Sequence, residues 1–426
     1  MYEYLLKNHF REENKMAFLV GPRQVGKTTT SVSSLSKNIY LNWDNQEHRK
    51  TILEGPDSVM KFASMEKLQS SKICIIFDEI HKYPKWKIFL KGFFDTFKRK
   101  VSICVTGSAR LDIYKHGGDS MMGRYFIYRM HPLSVREIIS PKLKDNEISP
   151  PSKMIEPDFN NLLIFGGYPE PYLRANKRFY NKWRRLRLEQ LFNEDLRDLS
   201  RITDIGRIKV LSEKLALSAG SSLNYSHLSN DIQVSVDTIR RWIEALESIY
   251  YCFRLRPYSK NISRSLLKEP KVYLWDWSQL SKLPELNGGV LPVYNKNFVK
   301  KTQSRKLAIP PPDQGKRNEN FIASHLLKAV HYYNDTGMGN YELYYLRDKS
   351  HREVDFLVTR DSLPWFLVEV KTGEQRISES LKYFKKLTKA PHAFQATFNM
   401  PFVKKNCFNE FDPVKVPVST LLSQLV

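Results

Sequence analysis

Two groups of side chains in this chain have the types and spacing for phosphate chemistry. The first begins at GPRQVGKT, residues 21 to 28, which fits G-x-x-x-x-G-K-[ST] after the apolar run KMAFLV and before a helical pattern. Gly21 and Gly26 let backbone N–H groups curl round phosphate oxygens, with Pro22, Arg23, Gln24 and Val25 completing the loop. Lys27 is expected to reach the β- and γ-phosphates of ATP, Thr28 to set its hydroxyl on Mg²⁺, and Thr29 to close the nucleotide-contacting stretch. The second part is KICIIFDEI, an apolar strand that delivers Asp78 and Glu79 to its C-terminal end, the edge where open α/β sheets bind ligands. Asp78 should hold Mg²⁺ through water, and Glu79 should polarise the attacking water. A small-molecule kinase has no need of that second carboxylate, so the pair points to hydrolysis.

NIYLNW lies between these two motifs in the chain, which predicts a sheet with one strand inserted between the motif-bearing strands. The next strand, VSICVTGS, ends in Thr106 and Ser108, placed to sense the γ-phosphate; an ordinary strand-ending turn is the alternative. An arginine to neutralise transition-state charge is expected in cis or in trans. Arg110 and Arg124 are the candidates, and either is equally readable as a surface arginine.

The second group lies near the C-terminus, where REVDFLV and WFLVEVK read as adjacent strands. Period-2 alternation puts Glu369 and Lys371 on one face, with Asp355 on the neighbouring strand and Glu319 in the preceding helix. This is the constellation of a PD-(D/E)XK nuclease: Asp355 and Glu369 bind Mg²⁺ or Mn²⁺, and Lys371 orients or activates the attacking water. The competing reading is a set of strand-edge polar residues on a fold that no longer cleaves.

The elements that must position these groups follow from pattern. Residues 15 to 131 alternate apolar strands with helical stretches, as in a parallel sheet with crossover helices. The Pro- and charge-bearing segment 140 to 157 reads as a surface loop, and AIPPPDQGK at 308 to 316 as a connection; the stretch from 282 to 312 has no assignment. Between them, YSHLSNDIQVSVDTIRRWIEALESI reads as two helices around a tight turn, the second capped by Ser235 or Asp237, with YYCFRLRPY as a wing strand. A DNA reader would present Arg240 and Arg241 from that second helix, although Glu244 and Glu247 a turn further on repel phosphate. The helix at 174 to 189 carries seven Lys or Arg against one Glu, among them Lys182, Arg184 and Arg185, interleaved with Phe179, Tyr180 and Trp183. Nucleic-acid contact suits that mixture, and so does an aromatic packing stripe with a solvated basic face.

Composition bounds the remaining choices. At 426 residues the chain exceeds one ordinary core, and 68 basic against 45 acidic side chains give a formal charge of +23, which favours a polyanionic partner or reflects a solvated basic surface. Four scattered cysteines suggest neither disulfides nor a zinc site, and no apolar run is long enough for a membrane helix. The amphipathic start, MYEYLLKNHFREENK, is unlike a signal peptide, which makes the cytoplasm the expected location.

GPRQVGKTT, FDEIHKYPKW, TGSARL, GRYFIYRMHPLSVREI and FGGYPEPYL, in that order, resemble the bacterial and archaeal AAA-type ATPases that carry a C-terminal conserved domain of unknown function. The likeness runs on through LSNDIQVSVDTIRRWIEALESIYYCFRLRPY into RNENFIASHLL, REVDFLV and LVEVK. It maps nucleotide binding onto Gly21, Gly26, Lys27, Thr28, Asp78 and Glu79. It implies an α/β chain: a P-loop NTPase core of AAA type at 1–140, a helical connector at 141–205, a winged-helix module at 206–290 and a restriction-endonuclease-like domain at 291–426. The expected function is an ATPase acting on DNA as a homo-oligomer, with metal-dependent nuclease activity as a further expectation for its C-terminal domain; the alternative is a nucleotide-dependent switch that binds a protein partner, with an inactive nuclease-like scaffold.

Overall fold

The computed structural model describes residues 1–426 except 36, 66–72, 108–120, 143–145, 200, 201, 203, 260–268 and 281–313. Ser108, Arg110 and the stretch 282–312 therefore lie outside the described residues.

The N-terminal sheet has five parallel strands, β1 (Met16–Val20), β2 (Asn38–Asn42), β3 (Ile73–Asp78), β4 (Val101–Gly107) and β5 (Tyr125–Arg129), in the order β2-β3-β4-β1-β5. Strand alternation sorts its apolar residues onto two faces. Phe18, Ile75, Phe77, Ile103 and Val105 meet the helix Trp86–Phe97, whose Trp86, Phe89, Leu90, Phe93, Phe94 and Phe97 form one apolar stripe. Ala17, Leu19, Cys74, Ile76 and Cys104 face the opposite layer, which includes Leu5 and Leu6 of the helix Tyr2–Glu12. The strand inserted between the two motif-bearing strands is β4; NIYLN lies at the edge as β2, so chain order and spatial order differ.

The middle of the chain is helical. Glu156–Phe165, Pro169–Arg174 and Lys177–Gln190 are followed by a π-helical turn, Leu191–Asp195. Three further helices, Ile205–Leu217, Tyr225–Ile232 and Val236–Ser248, precede an antiparallel pair, β6 (Cys252–Leu255) with β7 (Lys271–Leu274). Ser235 is the residue that caps the last of these helices, accepting from the Thr238 N–H at 3.2 Å. The segment 140–157 is less exposed than its composition suggests. Ser149 N–H donates to the Gln424 carbonyl at 2.9 Å and Met154 is buried, because the C-terminal helix Val418–Gln424 packs there.

The second five-stranded sheet is mixed, in the order β12-β11-β10-β9-β8. β8 (Tyr341–Arg347), β9 (Glu353–Arg360) and β10 (Leu363–Lys371) form an antiparallel meander, and β11 (His392–Thr397) and β12 (Val414–Pro417) continue parallel to β10. The helix Glu379–Thr388 covers one face through Leu381 and Phe384 against Leu357 and Leu367. The other face meets the 22-residue helix Gln314–Asp335, about 33 Å long at 1.5 Å per residue. That helix also reaches the first domain: Asp335 receives the Arg129 guanidinium at 2.6 Å, and buried Lys328 pairs with Glu137 at 2.5 Å.

Candidate nucleotide site and terminal carboxylate cluster

The loop after β1 takes the shape that its glycines permit. At Gly21, φ is +151° and an added Cβ would lie 2.2 Å from the Met130 carbonyl oxygen; at Gly26, φ is +99° where the chain turns into the helix Lys27–Ser34. Lys27 Nζ donates to the carbonyls of Gly21 at 2.9 Å and Pro22 at 2.7 Å. Burial pushes this amine down to about 8 against the pull of Glu79 and Asp78. Val25 is packed in the core, while Thr28 and Thr29 remain exposed.

Three hydroxyls fix Asp78. Its Oδ2 accepts from Thr28 at 3.0 Å and Tyr40 at 2.5 Å, and its Oδ1 from Thr106 at 2.5 Å. The oxygen-only set of Thr28 and Asp78, joined across the loop and the β3 end, fits Mg²⁺. Glu79 follows in the left-handed region at φ 55°, with its N–H on the Thr106 carbonyl at 3.1 Å. Its buried Oε2 has no hydrogen-bond partner; His81 Nε2 lies 3.5 Å away and Lys82 Nζ 3.8 Å. Burial raises the Glu79 pKa, opposed by Lys82 and reinforced by Asp78, which suits a group that takes up a proton.

Other parts of the expected site go elsewhere. The side chains of Arg23 and Gln24 leave the loop for the end of the basic helix, Arg23 to Glu194 at 2.8 Å and Asp195 at 2.7 Å, Gln24 to Gln190 at 3.3 Å. Arg124 sits at the opposite end of the sheet, its carbonyl on the N–H of Met16 at the start of β1 and its guanidinium on Asp95 at 2.9 Å. It cannot serve this site in cis.

The C-terminal group does assemble, with members that the sequence pattern missed. Lys371 Nζ lies 2.8 Å from Glu369 Oε1, as the alternation predicts, and Glu369 Oε2 is buried without a hydrogen-bond partner. Asp355 Oδ2 accepts from the Val370 N–H at 2.8 Å. Glu319 and Asp355, however, converge on Lys271, the first residue of β7, whose Nζ is 3.1 Å from Glu319, 2.6 Å from Glu353 and 3.9 Å from Asp355. Tyr273 adds a hydrogen bond to Glu319 at 2.7 Å. Asp355 is pushed up to about 8 by burial and by Glu319, with Lys271 opposing. For Lys271 burial acts downward, but Glu319, Asp355 and Glu353 outweigh it and the amine is raised. Of the two expected metal ligands, Asp355 has this ammonium 3.9 Å away and Glu369 is paired with Lys371, and an ammonium in this position does not fit a divalent ion shared by Glu319 and Asp355. Among the described residues, no cluster of three or more His, Cys, Asp or Glu has the geometry to hold a metal ion.

On the basic helix, Lys182 and Arg185 are exposed, and Arg184 is half-buried with its guanidinium near the Gln279 carbonyl at 3.5 Å. Tyr180, Trp183 and Arg187 are buried, so this aromatic stripe packs rather than stacks bases; Arg187 pairs with Asp276 at 3.4 Å and lies 4.0 Å over the Tyr168 ring. Arg240 and Arg241 are exposed, Arg240 lying 4.4 Å over Tyr225. Glu247, expected to repel phosphate, is neutralised by Arg254 at 2.6 Å, while Glu244 is exposed.

Residues 13–139, which contain the loop, Asp78 and Glu79, match the family described as AAA domain. The first domain is an AAA-type P-loop domain. This AAA-type domain precedes matches to two domains of unknown function, DUF8612 at 156–288 and DUF4143 at 314–406. An uncharacterised protein of Methanocaldococcus jannaschii is 23% identical over 396 residues, covering 88% of this chain and 79% of that protein. An uncharacterised protein of Mycobacterium tuberculosis is 22% identical over 368 residues, covering 86% and 73%. Among solved structures, the chain is similar to the Aeropyrum pernix ORC1 protein in complex with DNA at TM-score 0.30 and 15% identity, covering 65% of this chain and 87% of that one. A likeness at that level says nothing of what this chain binds. No helix among the described residues is long and apolar enough to cross a membrane.

Proposed function

We propose that the AAA-type domain binds and hydrolyses ATP. The observation that carries this is the joined set at the end of β3, with Thr28 on Asp78 and, beside it, the buried carboxylate of Glu79, whose pKa is raised and whose Oε2 accepts no hydrogen bond. Lys27 turns from its loop carbonyls to the β- and γ-phosphates, and Gly21 to Thr29 supply the surrounding cradle. Thr28 and Asp78 hold Mg²⁺, which supplies charge neutralisation at the phosphate oxygens. Glu79 orients a water and accepts its proton, and Thr106 senses the γ-phosphate from β4; Ser108, outside the described residues, is the second sensor of this reading. Phosphate release from ATP, compared with and without EDTA and in Lys27→Ala, tests the site: release is expected to need both the metal and Lys27. Release that survives both changes would assign the activity elsewhere.

Hydrolysis is proposed to act on DNA, with the middle module read as a winged helix. The charge of +23 and the exposed arginines, Arg240 and Arg241 on Val236–Ser248 and Arg185 with Lys182 and Arg184 on the basic helix, support this. Binding should weaken steeply with salt and flatten in Arg240→Ala with Arg241→Ala. An AAA-type core also implies a homo-oligomer, and the arginine that neutralises transition-state charge comes either from Arg110 in cis or from a neighbouring subunit.

The terminal domain is read as restriction-endonuclease-like, with Glu319, Asp355, Glu369 and Lys371 at its catalytic position. Metal-dependent cleavage does not fit the cluster while Lys271 occupies it, and no cleavage step is drawn. That same lysine favours a second reading, in which ATP switches the binding of a protein partner and the terminal domain is an uncatalytic scaffold. Insensitivity of all DNA binding to salt, or its absence, would favour the switch.

A further inference from the structure

Lys271 belongs to the middle module by its backbone. Gly220 N–H donates to the Val272 carbonyl at 2.8 Å and Leu223 N–H to the Pro270 carbonyl at 2.8 Å, so the strand that carries the lysine is held by the turn after the helix Ile205–Leu217. Its side chain, 3% exposed, crosses to carboxylates of the terminal domain and sits within 3.1 Å of Glu319 and 2.6 Å of Glu353. Tyr273, on the same face two residues along, commits a further hydroxyl to Glu319. A lysine buried this deeply needs carboxylate partners, and carboxylates gathered this closely need a cation. Each satisfies the other.

We propose that Lys271 is the resident cation of the terminal cluster, and that β7 thereby seals the cluster against divalent metal. While Lys271 is in place, its ammonium holds the position that a divalent ion on Glu319 and Asp355 would need. The inference rests on reading Glu319, Asp355 and Glu369 as a nuclease-like carboxylate set. It is independent of the DNA-binding reading. Two cations on the same oxygens repel strongly at these separations, which is why occupancy is exclusive.

Mn²⁺ binding to the nucleotide-free full chain, read from the electron paramagnetic resonance signal of unbound Mn²⁺, tests this. Wild type and Asp355→Asn should bind Mn²⁺ equally. Lys271→Met should gain one Mn²⁺ per chain, roughly tenfold or more tighter than any site in wild type, and lose it again when Asp355→Asn is added. Phosphate release from ATP serves as the control for folding: Lys271→Met that retains release but gains no Mn²⁺ overturns the inference and leaves the ATPase reading standing. If Lys271→Met fails to fold, the first comparison decides alone, since Mn²⁺ binding by wild type that Asp355→Asn abolishes also overturns it.

Discussion

The two carboxylate sites of this chain are built on opposite principles. At the end of β3 the key acid, Asp78, is held by the hydroxyls of Thr28, Tyr40 and Thr106, neutral groups that can share its oxygens with a metal. At the terminal cluster Glu319, Glu353 and Asp355 are held by a full positive charge from another module. The two lysines differ in the same way. Lys27 donates to backbone carbonyls and is pushed down to about 8 by burial, whereas Lys271 is raised by carboxylates that outweigh its burial. The comparison teaches that the same residue types make a site ready for a metal ion or a site closed to it, depending on whether the partner is a dipole or a charge.

The largest effect that would sharpen this contrast is on stability. Replacing Lys271 by Met leaves Glu319 and Glu353 without their ammonium, and a loss of about 3 kcal/mol is expected in denaturant unfolding, recovered in part by Mn²⁺. A loss below the error of the measurement would show that the lysine is not a structural cation. Next comes proton linkage at the other lysine. With the Lys27 amine lowered to about 8, nucleotide phosphates raise it again, so ATP binding takes up a proton and weakens as pH rises through that value. Calorimetry in buffers of different ionisation enthalpy should detect the uptake near pH 8 in wild type and not in Lys27→Arg, because arginine stays charged. The smallest effect belongs to the tie between the loop and the basic helix. Arg23→Ala removes a solvated contact to Glu194 and one to Asp195, whose carboxylate is buried, and should cost about 1–2 kcal/mol in the same unfolding experiment.

Much of the nucleotide site was legible because its residues are close in sequence and on regular elements. GPRQVGKT fixes a loop, and the apolar run ICIIF fixes which end of β3 carries Asp78 and Glu79. The role of Tyr40 was not legible, since nothing in NIYLN distinguishes an edge strand beside β3 from one inserted next to β1. Arg23 looked like part of a phosphate cradle until a helix nearly 170 positions later supplied its acids, at Glu194 through a separation of 171 residues. The terminal alternation placed Glu369 with Lys371 correctly in pattern, because period 2 is a local rule. Lys271 was invisible for the opposite reason: in KVYLW it is only the first residue of an apolar strand, and its partners lie 48 and more residues away. Tyr180 and Trp183 carried an ambiguous signal, since an aromatic stripe looks the same whether it meets a base or a core, and here it meets the core.

The most direct test of the account is a single substitution, Glu79→Gln, measured for ATP binding and for phosphate release on the same preparation. The amide keeps the shape of the side chain and removes its capacity to accept a proton, so binding should stay within a few-fold of wild type while hydrolysis falls by roughly 10²–10⁴. Phosphate release equal to wild type would contradict the assignment of Glu79, and with it the claim that the end of β3 is where this chain hydrolyses ATP.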